Sequence, residues 1–260
     1  MFTKMGGSMP ARSIQCYSAP QKSELRPQRR DDEKRAILRG HALFRSFSPD
    51  QIDRLCSCTI QKSIKRSTII FSKGDPGSSL FAIHKGSVKI SAPSIAGHDA
   101  VFNLLGAGDV FGEIAVLDGR PRTADAVAVT DCELFVIGRR DFLPLLSEEP
   151  EIALKMIELL CQRLRCQSDQ RENVMFLGLP SRLAKALLRL SGAECGATDM
   201  FERRVRVTQL DLASMIGMSR ESTNRQLRSW EKHKWVRLDR GAIVILSPDE
   251  LSSISECDDE

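Results

Sequence analysis

At Pro150 the hydrophobic spacing of this chain switches from short strand-like runs to a helical three–four period, and no single layer of secondary structure satisfies both halves. Before it, Ile64 to Phe71, Leu80 to Ile90, Val101 to Leu105 and Ala124 to Ile137 are short runs rich in β-branched or apolar residues. Gly74-Asp75-Pro76-Gly77, Lys85-Gly86-Ser87, Gly97-His98-Asp99 and Gly106-Ala107-Gly108-Asp109 punctuate them. Short strands at regular spacing with turn residues between them predict a β-sandwich or jelly roll. After Pro150, Ile157, Leu160, Leu164, Gln167 or Ser168, Arg171 and Val174 keep the new period through about Phe176. That is a coiled-coil-like stripe, apolar first and polar later. It predicts one long helix that pairs with a second copy of itself, the alternative being a helix packed on its own domain.

At 260 residues, with 42% hydrophobic and 28% charged residues, the chain has an ordinary globular profile and room for one or two domains. It holds no run of about 18 apolar residues, so no transmembrane helix is expected. The N-terminus has no apolar stretch before a small-residue cleavage site, so the expectation is a cytoplasmic chain without a membrane partner. Residues 1–30 are rich in Ser, Pro, Gln, Arg and Lys without apolar period and read as a disordered tail. Helical spacing begins near Asp31, and Ser48-Pro49-Asp50 reads as an N-cap followed by Pro in the first turn. Of eight scattered cysteines only Cys56 and Cys58 lie close together, and C-x-C is not a zinc spacing. Separate thiols and no metal site are expected. His84 and His98 read as surface histidines, and no nucleophile–base–oxyanion set suggests an enzyme.

The segment Phe111-Gly112-Glu113-Ile114-Ala115-Val116-Leu117-Asp118-Gly119-Arg120-Pro121-Arg122-Thr123-Ala124 carries chemistry. It sets a glycine turn, an acid and an arginine in a short loop between strand-like runs. Gly lets the backbone approach a ligand with no Cβ in the way. Arg122 offers a planar, permanently charged fork for phosphate oxygens. Glu113 can accept from a ribose hydroxyl, and Thr123 adds a small donor. A buried cyclic phosphate ester needs such a set.

Leu177-Gly178-Leu179-Pro180 breaks the long helix and makes a hinge. Next come an apolar-periodic helix at 181–191 and a basic strand-like stretch at 203–207. Thr208 to Leu227 then reads as a helix-turn-helix: Thr208 caps the first helix, Ala213 is small where helices cross, Gly217 permits the turn and Ser219 caps the second helix. Arg220, Glu221 and Arg225 fall on its N-terminal part. Trp235 to Leu238 and Ala242 to Leu246, around Asp239-Arg240-Gly241, read as a hairpin wing. Formal net charge is only +4, but Ser219 to Arg240 alone holds seven Lys/Arg against three Asp/Glu. That concentration suits a face for double-stranded DNA.

Over about residues 35–250, with both motifs in order, the chain resembles the catabolite-activator/fumarate-nitrate-reductase superfamily, most of all its cyclic-AMP receptor branch. The resemblance implies an α+β chain: a flexible tail over 1–34, a β-roll (jelly-roll) cyclic-nucleotide-binding domain over 35–149, a dimerisation helix and hinge over 150–178, and a winged helix-turn-helix domain over 179–252. It implies that Glu113 bonds the ribose 2′-hydroxyl and that Arg122 and Thr123 hold the cyclic phosphate, with the Gly112, Ile114 and Ala115 backbone nearby. Val88, Ile90 and Leu104 would line the pocket. Gln167 and Ser168 fall where the family places a purine-contacting Thr-Ser pair, and Gln for Thr departs from it. The implied DNA-facing set is Thr208, Gln209, Ser219, Arg220, Glu221, Thr223, Asn224 and Arg225, reading TGTGA-type inverted repeats as a homodimer, with RNA polymerase as a further partner. The allosteric ligand expected is cAMP. cGMP is expected as well, because a hydroxyl at Thr123 can bond the guanine amino group. The competing expectation is a regulator of the same fold with another effector, or none.

Overall fold

The structure is a computed structural model, and it describes residues 25–40, 44, 47–93, 100–193 and 203–256. Helix α1 (Leu25–Gly40) is followed by α2 (Pro49–Cys58). The start of α2 is the expected one: Ser48 accepts from the Gln51 N–H, and Gln51 reaches back to the Ser48 N–H. Such a capping box satisfies two donors that a helix start otherwise strands. The helix α1 begins at Leu25, earlier than the tail reading allows; residues 1–24 lie outside the described residues.

The expected β-roll follows as β1 (Thr59–Ile64), β2 (Ile69–Phe71), β3 (Ser79–Lys85), β4 (Val88–Ala92), β5 (Ala100–Leu105) and β6 (Val110–Phe111). Then come a short helix α3 (Glu113–Asp118), β7 (Asp125–Ala128) and β8 (Cys132–Gly138). They make two four-stranded antiparallel sheets, ordered β1-β8-β3-β6 and β2-β7-β4-β5. The run Ala124 to Ile137 is therefore two strands in different sheets, divided at Thr130-Asp131. Between the sheets lies a core of Phe81, Ile83, Val88, Leu105, Phe111, Ala126 and Leu134. The rings of Phe81 and Phe111 stack there with centroids 5.0 Å apart.

The outer face of the first sheet packs on helices. Leu80, Phe135 and Ile137 meet Ile52 and Leu55 of α2, Phe142 of α4 (Arg139–Glu148), and Ile152 and Met156 of α5 (Pro150–Phe176). Helix α5 runs Pro150–Phe176, 27 residues, as the period change predicts. Only its first turns are held by this core. Ile157 and Leu164, on the predicted stripe, are 54% and 65% exposed.

The second domain comprises α6 (Leu179–Ala193), β9 (Arg203–Val205), α7 (Gln209–Ile216), α8 (Arg220–Lys232), β10 (Val236–Asp239), β11 (Ala242–Ile245) and α9 (Pro248–Glu256). Its core gathers Leu183, Leu187, Leu212, Leu227, Trp230, Ile243 and Leu251. Helix α9 was not expected and runs past residue 252, although Ser247-Pro248-Asp249 repeats the start signal read at Ser48-Pro49-Asp50. Among the described residues no helix is long and apolar enough to cross a membrane, and no group of three or more His, Cys, Asp and Glu is placed to hold a metal ion. Cys58, Cys132, Cys161 and Cys166 are free thiols and Cys56 is buried; Cys16, Cys195 and Cys257 lie outside the described residues.

Candidate functional site

The cassette folds around Gly112. Its φ of 79° lies in the left-handed region, and it begins α3. A Cβ at Gly112 would stand 2.7 Å from Arg122 Nη1, so glycine is required by both conformation and space. The segment expected as a loop is thus a six-residue helix, bracketed by Gly112 and by Gly119 at φ 72°. Gly77 matters as much: a Cβ there would overlap Ala115 Cβ at 2.1 Å. Backbone bonds from Gly74 N to Arg122 O and from Arg122 N to Asp75 O, both 2.9 Å, tie the turn to the arginine.

Arg122 is 6% exposed. Its Nη1 donates to Gly112 O at 2.7 Å and its Nη2 to Ser79 O at 2.6 Å. The guanidinium carbon sits 4.2 Å from the centre of the Phe71 ring. Its Nε is buried with no hydrogen-bond partner. Burial pushes the Arg122 pKa down from its ordinary value, and the charges of Glu113 and Asp75 pull it back. A buried cation held by carbonyls and a ring, with no carboxylate bonded to it among the described residues, is placed for an anion.

Glu113 is 1% exposed, and its carboxylate pairs with Nη1 of Arg163 on α5. Arg163 Nη2 donates to Val110 O, at the strand end before Gly112. Nothing in the sequence reading singled out Arg163. The one available signal is helical: it lies one turn before Gln167, on the same face of α5. The structure brings Glu113, Arg122 and Arg163 together at the roll, and Ala115 of α3 is buried. Ile114 and Thr123 are exposed at the rim, and Gln167 and Ser168 are exposed on α5, where Ser168 Oγ donates to Leu164 O at 3.1 Å.

Val88 and Ile90 face the roll interior as expected. Leu104 does not. It pairs with Lys89 across β4 and β5, whereas Val88 pairs with Leu105 and Ile90 with Asn103. Side chains alternate along a strand, so Leu105 and Asn103 share the inner face. Leu104 faces outward and packs on the second domain's core. Beside it Lys89 forms an ion pair with Asp211 of α7 at 3.1 Å, with both side chains largely buried.

In the second domain the two expected caps form: Thr208 Oγ1 accepts from Asp211 N, and Ser219 Oγ from Ser222 N. Between them Gly217 takes the left-handed turn at φ 67°. Arg220, Glu221 and Arg225 are exposed, as are Thr208 and Ser219, while Gln209 and Asn224 are half-buried. Thr223 is a correction to the DNA-facing set. It is fully buried with Leu227 and Trp230, because residues three and four apart share one helix face and that face meets the core. At about 100° per residue, Glu221, Arg225 and Arg228 lie on the far side of the helix, with Arg220 and Asn224 flanking the core face. Arg228, overlooked in the sequence, is exposed there and bonds Glu231 at 2.9 Å.

Residues 61–149 match the cyclic nucleotide-binding domain family and residues 181–254 the Crp-like helix-turn-helix domain family. The chain is 32% identical over 208 residues to the cyclic AMP receptor protein of Thermus thermophilus, covering 80% of this chain and 94% of that one. The chain belongs to the Crp/Fnr superfamily of transcription regulators. A second Crp/Fnr relative, the CRP-like cAMP-activated global transcriptional regulator of Mycobacterium tuberculosis, is 28% identical over 218 residues, with 83% and 97% coverage. Among solved structures, the c-di-GMP responsive global regulator CLP of Xanthomonas campestris superposes with a TM-score of 0.65 at 23% identity, covering 76% of this chain and 99% of that one. At that identity the likeness concerns the Crp/Fnr fold alone. A Crp/Fnr regulator with a cyclic-nucleotide-binding domain and a DNA-binding helix-turn-helix is what the two family matches and the described geometry share.

Proposed function

We propose that this chain works as a cytoplasmic homodimer that binds cAMP, with cGMP as a second ligand, and then binds TGTGA-type palindromes to control transcription with RNA polymerase. Arg122 carries the reading. Its guanidinium is buried, aimed by two carbonyls, and bonded to no carboxylate, so a cyclic phosphate supplies the missing counter-charge. Glu113 is the ribose-hydroxyl acceptor and Thr123 a rim donor. Gln167 and Ser168 reach the purine, and Gln167 offers both a donor and an acceptor to either base. The names of the Thermus and Mycobacterium relatives support cAMP.

The exposed stripe of Ile157, Leu164 and Val174 supports pairing of two α5 helices. A dimer of this kind sets its recognition helices one turn of DNA apart, ~34 Å, and reads two half-sites. Glu113 joins the two functions, since its partner Arg163 belongs to α5. A nucleotide at Glu113 biases α5, and the hinge at Gly178–Pro180 passes the bias to α8.

The test is calorimetric titration of cAMP and cGMP, with operator binding measured in each state. Arg122→Leu is expected to keep the fold and lose nucleotide binding by at least a hundredfold. Near-wild-type affinity in that variant overturns the assignment, and failure of millimolar cGMP to displace cAMP removes the second ligand. A regulator of the same fold with a different effector is the other reading, favoured by the departure at Gln167; equal operator affinity with and without cAMP would select it.

A further inference from the structure

We propose that the cavity between α5, α6 and the end of α7 is a second effector site, for a small phosphorylated anion bound away from the β-roll. The cavity measures about 290 Å³ and is lined by Asp169 and Gln170 of α5, Arg182, Lys185 and Arg189 of α6, and Met215 of α7. That volume lies at the small end of ligand-sized pockets. The lining gathers three cations around one acid.

Each cation is held in place by a neutral group. Arg182 donates to Ile216 O at 3.0 Å and to Met218 Sδ at 3.2 Å. Lys185 Nζ donates to Asn173 Oδ1 at 3.1 Å. Arg189 Nη1 donates to Cys166 Sγ at 3.2 Å, and Gln170, with its amide oxygen turned toward Arg189, accepts from the same guanidinium. Among the described residues, none of the three has a carboxylate within ion-pair distance, and their bonds go to neutral groups. All three side chains are half-buried. Like charges fixed around one void repel each other, and an anion in the void turns that repulsion into attraction. Two guanidinium forks and an ammonium match phosphate oxygens in geometry and in charge.

Arg182, Lys185 and Arg189 belong to the DNA-binding domain, whereas Asp169, Gln170, Cys166 and Asn173 belong to the long helix. An anion bound here therefore bears on the angle between α5 and α6, across the hinge. Helix α8 contributes nothing to the lining, which separates the site from the DNA-reading face and favours a free small anion over the DNA backbone.

The experiment titrates pyrophosphate into the full chain by calorimetry at constant ionic strength, for wild type, Lys185→Gln/Arg189→Gln and Arg122→Leu. The expected result is saturable binding of one pyrophosphate per chain, at least tenfold weaker in the double variant and unchanged in Arg122→Leu. The double variant must still unfold cooperatively; if it does not, Lys185→Gln alone carries the test, with a fivefold loss expected. Non-saturable heats, equal binding after the α6 substitutions, or loss of binding in Arg122→Leu overturns the proposal. So does displacement of pyrophosphate by an operator duplex, which would make these cations a DNA-backbone contact. The outcome is independent of cAMP titration, so the two readings fail separately.

Discussion

Replacing Arg163 by Met tests whether the Glu113–Arg163 pair holds α5 to the roll. Glu113 is 1% exposed at its side chain and Arg163 29%. Removing the cation leaves a carboxylate stranded almost wholly out of water, and breaking a buried pair from one side costs about 3–5 kcal/mol. Arg163 also donates to Val110 O, so the substitution frees a strand-end carbonyl too. Because the Arg163 side is partly open, water can follow the loss, and the low end, about 3 kcal/mol, is expected. The reverse substitution, Glu113→Gln, leaves a cation that can turn toward solvent and is expected to cost only about 1 kcal/mol. In the double variant no stranded charge remains, so the total returns to about 1 kcal/mol and the coupling energy is about 3 kcal/mol. Urea denaturation of the nucleotide-free chain, read as midpoint at unchanged slope, measures all three. A cost below 0.5 kcal/mol for Arg163→Met, or no rescue by Glu113→Gln, refutes the claim that the pair is buried and energetically coupled.

Four further side chains each carry an expected outcome. Burial raises the pKa of Asp109, against the opposing Gly106 N–H at 2.8 Å and the Arg163 charge. Its contribution to stability is thus full below the unfolded value near 3.9 and is lost as pH rises through the higher folded value; Asp109→Asn should remove that fall, and an unchanged pH profile of stability would refute it. Leu164→Asp sets like charges opposite each other in the α5 stripe at a cost of about 3 kcal/mol or more, so light scattering should report monomers, and a persistent dimer would move the interface elsewhere. Arg220→Ala should cost about 1–3 kcal/mol and relax preference at one base pair, whereas Lys232→Ala should weaken all sequences alike and flatten the salt dependence; mobility shifts on single-base operator variants would expose the opposite pattern.

What the sequence made legible was mostly local. The caps at Ser48, Thr208 and Ser219 and the left-handed turn at Gly217 each depend on residues within four positions, and each formed as read. The long helix was legible because its three–four period persists from Ile157 to Val174. The failures were of longer range. Arg163 meets Glu113 across 50 residues of sequence, and no spacing rule reports such a contact. Leu104 was placed one residue out of phase. Strand periodicity alone left its face open, and only pairing with Lys89 fixes it. Thr223 looked polar and groove-facing, yet its position relative to Leu227 and Trp230 puts it in the core. Helix α3 was hidden because Gly112 and Gly119 read as turn residues on both sides of six positions.

The alternation that sets Leu104 on the outer face also bears on how the two domains meet. One face of the β4–β5 pair, Val88 and Leu105, lies in the core between the sheets with Phe81 and Phe111, whose strand leads directly into Gly112. The other face, Lys89 and Leu104, touches the DNA-binding domain, with Lys89 paired to Asp211 in the first turn of α7. Asp211 in turn accepts from the Thr208 hydroxyl at 2.7 Å, the residue that caps α7. A displacement of about 1 Å in this pair of strands would take a 3.1 Å ion pair beyond hydrogen-bond reach. On the proposed function, a ligand that fills the roll would act on α7 through β4 and β5, and on α5 through Glu113 and Arg163. It can shift the equilibrium between DNA-binding arrangements only by its differential affinity for them. By linkage, operator DNA must then tighten nucleotide binding by the same factor that nucleotide tightens operator binding.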